Sequence, residues 1–197
     1  MNGSDFVGRI GTSTCPRSIA PIITSNVLNG DKSISFMCIS RNAAAKAIHA
    51  AAIANTKNVK DQAAFFKPEI AHDLETDKGP IRKGLTPFKL TFFPFARPHT
   101  LTIDPRMRRT RVSASVDHED LARNIHSSYL RKTPLVLECM GDKAIGIVTQ
   151  SIALFNERVK SHDMVSFVQI VSGKSKEGTD IVKMEFQLFE EPKSTNH

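Results

Sequence analysis

The chain has no tryptophan, one tyrosine and three cysteines among its 197 residues. Cys15, Cys38 and Cys139 form no Cys-x-x-Cys pair, and their number is odd. This argues against a disulfide framework and a cysteine-built zinc site, and for a reducing compartment. No apolar run approaches the roughly 20 residues of a membrane helix. The segment from Met1 to Phe6 has neither a secretory apolar core nor an Arg-rich amphipathic pattern. A cytoplasmic location is expected, or the nucleus or an organelle if a targeting segment was removed. Gly-x-x-x-x-Gly-Lys-Ser/Thr, Gly-x-Ser-x-Gly and His-Glu-x-x-His are all missing. His118 and His162 stand singly beside acids, and His49 and His126 have no second ligand at a regular offset. The expectation is a protein that is not an enzyme and holds no cofactor and no metal.

Positive charge is plentiful. Lys and Arg number 27 against 20 Asp and Glu, a formal charge of +7. Such a balance favours a polyanionic partner, nucleic acid ahead of an anionic membrane. The plain alternative is a solubilising surface.

Two stretches of the chain show the same order of signals. In the second, residues 111–116 alternate like a strand. Asp117 stands at a helix N-cap with Glu119 and Asp120 in the first turn. Leu135 to Met140 is a short apolar run broken by Gly141. Ile145, Val148, Ile152, Phe155 and Val159 mark one face of a long helix. Met164 to Val171 is β-rich, Gly173 to Gly178 reads as a turn, and Ile181 to Phe189 returns as a hairpin strand. In the first stretch, Phe6 to Ile10 is a weak strand. Ser13 or Thr14 can cap a helix with Pro16 in its first turn. Ile34 to Ile39 is the apolar strand, Ala43 to Ala54 an alanine-rich helix, and Phe65, Phe66 and Ile70 lie on a third strand. A polar connection over 71–85 leads to Phe88–Phe95 as the last strand.

Overlaid, Cys38 falls on Cys139, Ser40 on Gly141, Ala43 on Ala144, Asn55 on Asn156 and Phe66 on Phe167, all at an offset of 101 residues. The last strands match at another offset, Lys89 with Lys183 and Phe92 with Phe186. The reading is a tandem duplication of a β-α-β-α-β-β module, with copies over 5–96 and 111–192. Between them, 97–110 reads as an exposed basic linker, kept from helix by two prolines.

The second copy resembles the SpoVS family, a branch of the Alba-like superfamily. The resemblance rests on Arg111-Val112-Ser113-Ala114, on Leu137-Glu138-Cys139-Met140-Gly141-Asp142-Lys143-Ala144 and its helix, and on Glu185-Phe186-Gln187-Leu188-Phe189-Glu190-Glu191-Pro192. In the diverged first copy, Ser40-Arg41-Asn42-Ala43 stands where Gly141-Asp142-Lys143-Ala144 stands. The resemblance implies an α+β fold: two Alba-like modules, each with two helices on a four-stranded mixed sheet, packed within the chain as a pseudo-dimer. A homo-dimer of whole chains is a further possibility. It also implies DNA or RNA binding, with hairpin arms reaching toward the nucleic acid.

Three groups of residues are candidates for phosphate contact. The turns before the long helices supply Arg41, Asn42 and Lys46, and Lys143 beside an opposing Asp142. The hairpin tips supply Lys78, Arg82 and Lys83 in the first copy and Lys174 and Lys176 in the second; exposed lysines there also guard a sheet edge. The linker supplies Arg106, Arg108, Arg109 and Arg111, with arginine suited to phosphate. Arg123, Arg131 and Lys132 are possible neighbours. The Lys/Arg-Gly-Phe/Tyr signature of an RNA-stacking sheet is absent. The expected function is non-enzymatic nucleic-acid binding mainly through phosphates, with RNA slightly favoured over DNA because no groove-reading helix is evident. The alternative is a structural or adaptor subunit of a ribonucleoprotein assembly, using the duplicated module as a protein-interaction platform.

Overall fold

A computed structural model describes residues 5–58, 61–72, 75–76, 79–80, 85–96, 107–174 and 178–192. The elements run β1 (Asp5–Ile10), α1 (Pro16–Ile23), β2 (Ile34–Cys38), α2 (Arg41–Lys57), β3 (Gln62–Ile70), the short pair β4 (Glu75–Thr76) and β5 (Gly79–Pro80), and β6 (Phe88–Ala96). Then come β7 (Arg108–Val112), α3 (His118–Leu130), β8 (Leu135–Cys139), α4 (Asp142–Arg158), β9 (His162–Lys174) and β10 (Asp180–Pro192). A π-helical turn, Thr24–Leu28, extends α1.

The fold is α+β, four helices on a single mixed eight-stranded sheet. Its strand order is β1-β2-β6-β3-β9-β10-β8-β7. Read inward from either edge the order repeats: opening strand, apolar strand, last strand, third strand. The outer pairs β1–β2 and β7–β8 are parallel and the rest antiparallel. The helices cover one face. Their apolar sides pack on Phe36, Phe66, Leu90, Phe92, Leu137, Val168 and Phe186. Strand side chains alternate between faces, so Phe65, Phe93, Val165 and Phe167 form a second cluster on the opposite face. There Phe65 lies 5.7 Å from Phe167, 5.3 Å from Phe189 and 5.1 Å from Phe95, ring centre to ring centre.

The halves meet where β3 runs antiparallel to β9, in a ladder of two residue pairs, Phe65 opposite Phe167 and Phe66 opposite Ser166. Continuing the register would set Ala64 opposite Val168 and Pro68 opposite Met164. At each of these positions a buried asparagine is inserted. Asn55 of α2 donates to the carbonyls of Ala64 and Val168, both at 3.0 Å, and accepts from the Ala64 amide at 2.8 Å. Asn156 of α4 donates to the carbonyls of Pro68 at 3.2 Å and Met164 at 3.1 Å, and accepts from the Met164 amide at 2.6 Å. On both sides a side-chain amide therefore takes over main-chain hydrogen bonds where the ladder ends, as burial of those groups requires. Lys67, reaching Asp163 at 3.1 Å, adds a charge pair across the same seam.

Above the junction α2 packs on α4. Gly146 permits the approach, because a Cβ there would lie 2.9 Å from Arg41 Cβ and 3.0 Å from the Arg41 carbonyl oxygen. Lys46 pairs with Asp142 at 2.5 Å across this contact, and His49 lies 3.5 Å from the same carboxylate.

Several sequence expectations need correction. α2 and α4 align at the expected offset, with C-caps at Asn58 and Val159. The next strands do not: Phe66 packs among the helices whereas Phe167 lies on the opposite face. The turn after α4 is one residue shorter, so Ser166, not Phe167, stands at the position of Phe66. The last strands are also shifted. Met37 pairs with Lys89 and Glu138 with Glu185, so Lys89 corresponds to Glu185 rather than Lys183. Phe66 pairs with Phe92 and Ser166 with Leu188, so Phe92 corresponds to Leu188 rather than Phe186. Both expected matches kept the correct face because the error is two residues. Neither Ser13 nor Thr14 caps α1. Cys15 holds that position, and Thr14 Oγ1 accepts from the Gly11 amide instead. Finally, β7 takes in Arg108–Thr110, which the sequence reading gave to the linker.

Candidate nucleic-acid interface

The described basic candidates fall into two groups. The first lies where α2 and α4 begin. Ser40 caps α2 by accepting from the Ala43 amide at 3.2 Å. Gly141 precedes α4 with a φ of +79°, a left-handed conformation that suits glycine. These turns leave Arg41, Asn42 and Lys143 exposed. Arg41 sits against Gly146, so the two helix starts form one ridge across the junction. Lys46 belongs to the ridge but is engaged by Asp142. Burial lowers the basicity of His49 more than Asp142 raises it, so its ring favours the neutral form.

The second group lies on the helix-free face of the second half. Arg109 and Arg111 alternate on the edge strand β7, Glu138 stands on β8, and Lys183 and Glu185 on β10. Arg109 Nη1 donates to Glu138 at 2.9 Å and to Glu185 at 2.8 Å. Lys183 donates to Glu138 at 2.8 Å and lies 3.3 Å from Glu185. Gln169 donates to Glu185 at 3.3 Å. Both carboxylates are buried, with side chains 9% and 5% exposed. Buried charges persist only when paired in this way. Arg109 is therefore a structural cation. Arg111 differs: its side chain is 83% exposed and only reaches 3.8 Å from Glu138.

Past the end of β8 the β9–β10 hairpin continues as an arm. Between this arm and the end of β7 lies a cleft of about 690 Å³. Its lining includes Arg111, Glu138, Met140, Lys174, Ile181 and Lys183. Sequence reasoning found Arg111 and Lys174 but missed Lys183, Met140 and Ile181. The alternation of the last strand put Lys183 on the face of Glu185, and that was the available signal.

Burial raises the Glu138 carboxyl pKa, but hydrogen bonds from Lys183 and Arg109 outweigh it and hold the group below its usual range. Its stabilisation is complete above the unfolded carboxyl's pKa, about 4.3, and is lost as pH falls through the lower folded value. Glu138→Gln should therefore flatten the decline of the urea midpoint between neutral pH and about pH 3. An unchanged decline would place the acid sensitivity elsewhere. Cys38 and Cys139 are pushed up to about 12 by burial and remain thiols inside the core.

Of the remaining candidates, Arg108 is exposed on the open edge of β7. Arg123 pairs with Asp120 and Lys132 with Glu190, away from the cleft. Lys78, Arg82, Lys83, Arg106 and Lys176 lie outside the described residues. Among the described residues no cluster of three or more metal-ligating side chains occurs. None of the described helices is long and apolar enough to cross a membrane. No protein-family model matches the chain, and no curated protein matches it either.

Proposed function

We propose that the chain is a non-enzymatic nucleic-acid-binding protein of the cytoplasm, built from two Alba-like, SpoVS-like modules paired inside one polypeptide. Phosphates are its main points of contact, and RNA is favoured over DNA. The repeated strand order about the β3–β9 junction supports the pairing of two equivalent modules. The observation that carries the binding reading is the placement of exposed cations. Arg41 and Lys143 crown the paired helix starts, and Arg111 and Lys174 flank the cleft at the arm. Arg41, Lys143 and Lys174 form no ion pair with any described residue. Arg109, by contrast, is spent on Glu138 and Glu185, so it is not assigned to the interface.

A salt series on labelled single- and double-stranded RNA and DNA tests this. Each lost single-strand phosphate contact reduces the slope of log affinity against log salt by about 0.7. Replacing Arg41, Arg111, Lys143 and Lys174 together with alanine should flatten the single-stranded RNA slope by roughly 3, with an unchanged melting temperature. No binding by the wild-type chain at roughly 50 mM salt, where phosphate contacts are strong, would end the reading and leave the adaptor alternative.

A further inference from the structure

We propose that the cleft between the β9–β10 arm and the end of β7 seats one unstacked nucleotide of a single-stranded or frayed RNA. This rests on the nucleic-acid reading above and adds a ligand class to it. The volume of about 690 Å³ lies within the range of ligand pockets, roughly 300–1,000 Å³. A flat phosphate-tracking surface needs no such cavity.

The lining divides into two zones. Val112, Ala114, Met140 and Ile181 make an apolar wall. Met140 is 55% exposed although it follows the buried strand β8, so its thioether is free to lie along a ligand ring. The lining also holds the cations Arg111 and Lys174, and Lys183, which is engaged by Glu138. Among the described residues of the lining the one acid, Glu138, is already bound by Arg109 and Lys183, so the cleft keeps its attraction for an anion. An apolar slot beside cations matches a base attached to its phosphate. Single-strand recognition splays bases out of the stack in this way. With no tryptophan in the chain, Met140 and the guanidinium plane of Arg111 supply the surfaces on which the base lies. Gly141 follows Met140 directly, so the cleft and Lys143 at the helix-start ridge are close along the chain. The first half carries Met37 and Lys89 where the second carries Glu138 and Glu185, so the charged floor belongs to the second half alone.

The test compares a blunt RNA duplex with the same duplex bearing a single-nucleotide 3′ overhang, using the full chain and two exposed-site variants. Ala114→Trp fills the slot and Met140→Ala removes its wall. Wild type should bind the overhang about five- to tenfold more tightly than the blunt duplex. Both variants should lose that preference while keeping blunt-duplex affinity. Methyl NMR gives a second readout. A nucleoside 5′-monophosphate should shift the Met140 and Ile181 methyl signals and inorganic phosphate should not. Equal binding of both duplexes, or equal methyl shifts with phosphate alone, would overturn the cleft assignment and leave phosphate-mediated binding standing. Failure to bind either duplex at roughly 50 mM salt would overturn both readings together.

Discussion

Asn156→Ala should lower the unfolding free energy by about 3–5 kcal/mol and the melting temperature by about 10 °C. The side chain holds three main-chain groups at once: the Met164 amide, the Met164 carbonyl and the Pro68 carbonyl. Alanine leaves all three buried beside a small void, and each unsatisfied group costs about 1–3 kcal/mol before relaxation. Pro68 has no amide hydrogen, so the strands cannot restore the lost contact by extending their ladder with a pair there. Asn55→Ala should behave alike, since it serves Ala64 and Val168 at the other end. Asn156→Asp is the informative control. The carboxylate can still accept from Met164 but faces two carbonyls it cannot donate to. It should be as damaging as alanine at neutral pH, and recover as acid protonates it. Urea denaturation of the three variants decides the matter. Losses below about 1 kcal/mol, the worth of one ordinary hydrogen bond, would show that other contacts hold the junction.

Gly146→Leu should cost a further large amount, about 3 kcal/mol or more, by overpacking the α2–α4 contact. In an exposed helix, replacing glycine with alanine raises stability by about 0.4–1 kcal/mol. Here the sign should reverse. The new Cβ would meet Arg41 Cβ and carbonyl at 2.9 and 3.0 Å, and neither is the end of a flexible side chain. Gly146→Ala should therefore be neutral to mildly destabilising, and leucine should push the helix starts apart. The displacement should also break the Lys46–Asp142 pair, which spans the same contact. Thermal melts of both variants measure it, and a stabilising Gly146→Ala would show that α2 yields at no cost.

Element order was readable from the sequence because each signal is local. Alternation marked the strands, Asp117 marked α3, and alanine content marked α2. Register was less readable. Nothing in the sequence reveals that the turn after α4 is one residue short, because Phe66 and Phe167 both suit a buried strand position. Likewise Phe186 suits the place of Phe92 as well as Leu188 does. Asn55 and Asn156 stood in matching positions, but their bonds reach strands of the other half, far along the chain, which local patterns cannot show. The site was partly visible. Exposed Arg111 and Lys174 were named from charge alone. Arg109 carries the same charge signal, and its pairing with Glu138 and Glu185 depends on three strands coming together. Lys183, Met140 and Ile181 were overlooked because each reads as ordinary strand sequence, and only the projecting arm gives them a common cavity.

The seam between the halves is the least local part of the fold. Phe65 and Phe66 find Phe167 and Ser166 only after some hundred intervening residues have been brought together. Contacts of such long range form slowly, since chain-closure entropy is lost before they contribute. The β9–β10 hairpin and the β3–β6 pair are more local and can form before the seam, leaving Phe65 and Phe167 open to solvent. Until the seam closes, the two short rungs and the asparagine inserts offer the same complement to a neighbouring chain as to the rest of their own. Crowded refolding should therefore favour exchange of halves between molecules, and dilution closure within one. The short seam that unites the sheet should then also limit how concentrated the protein can be while it folds.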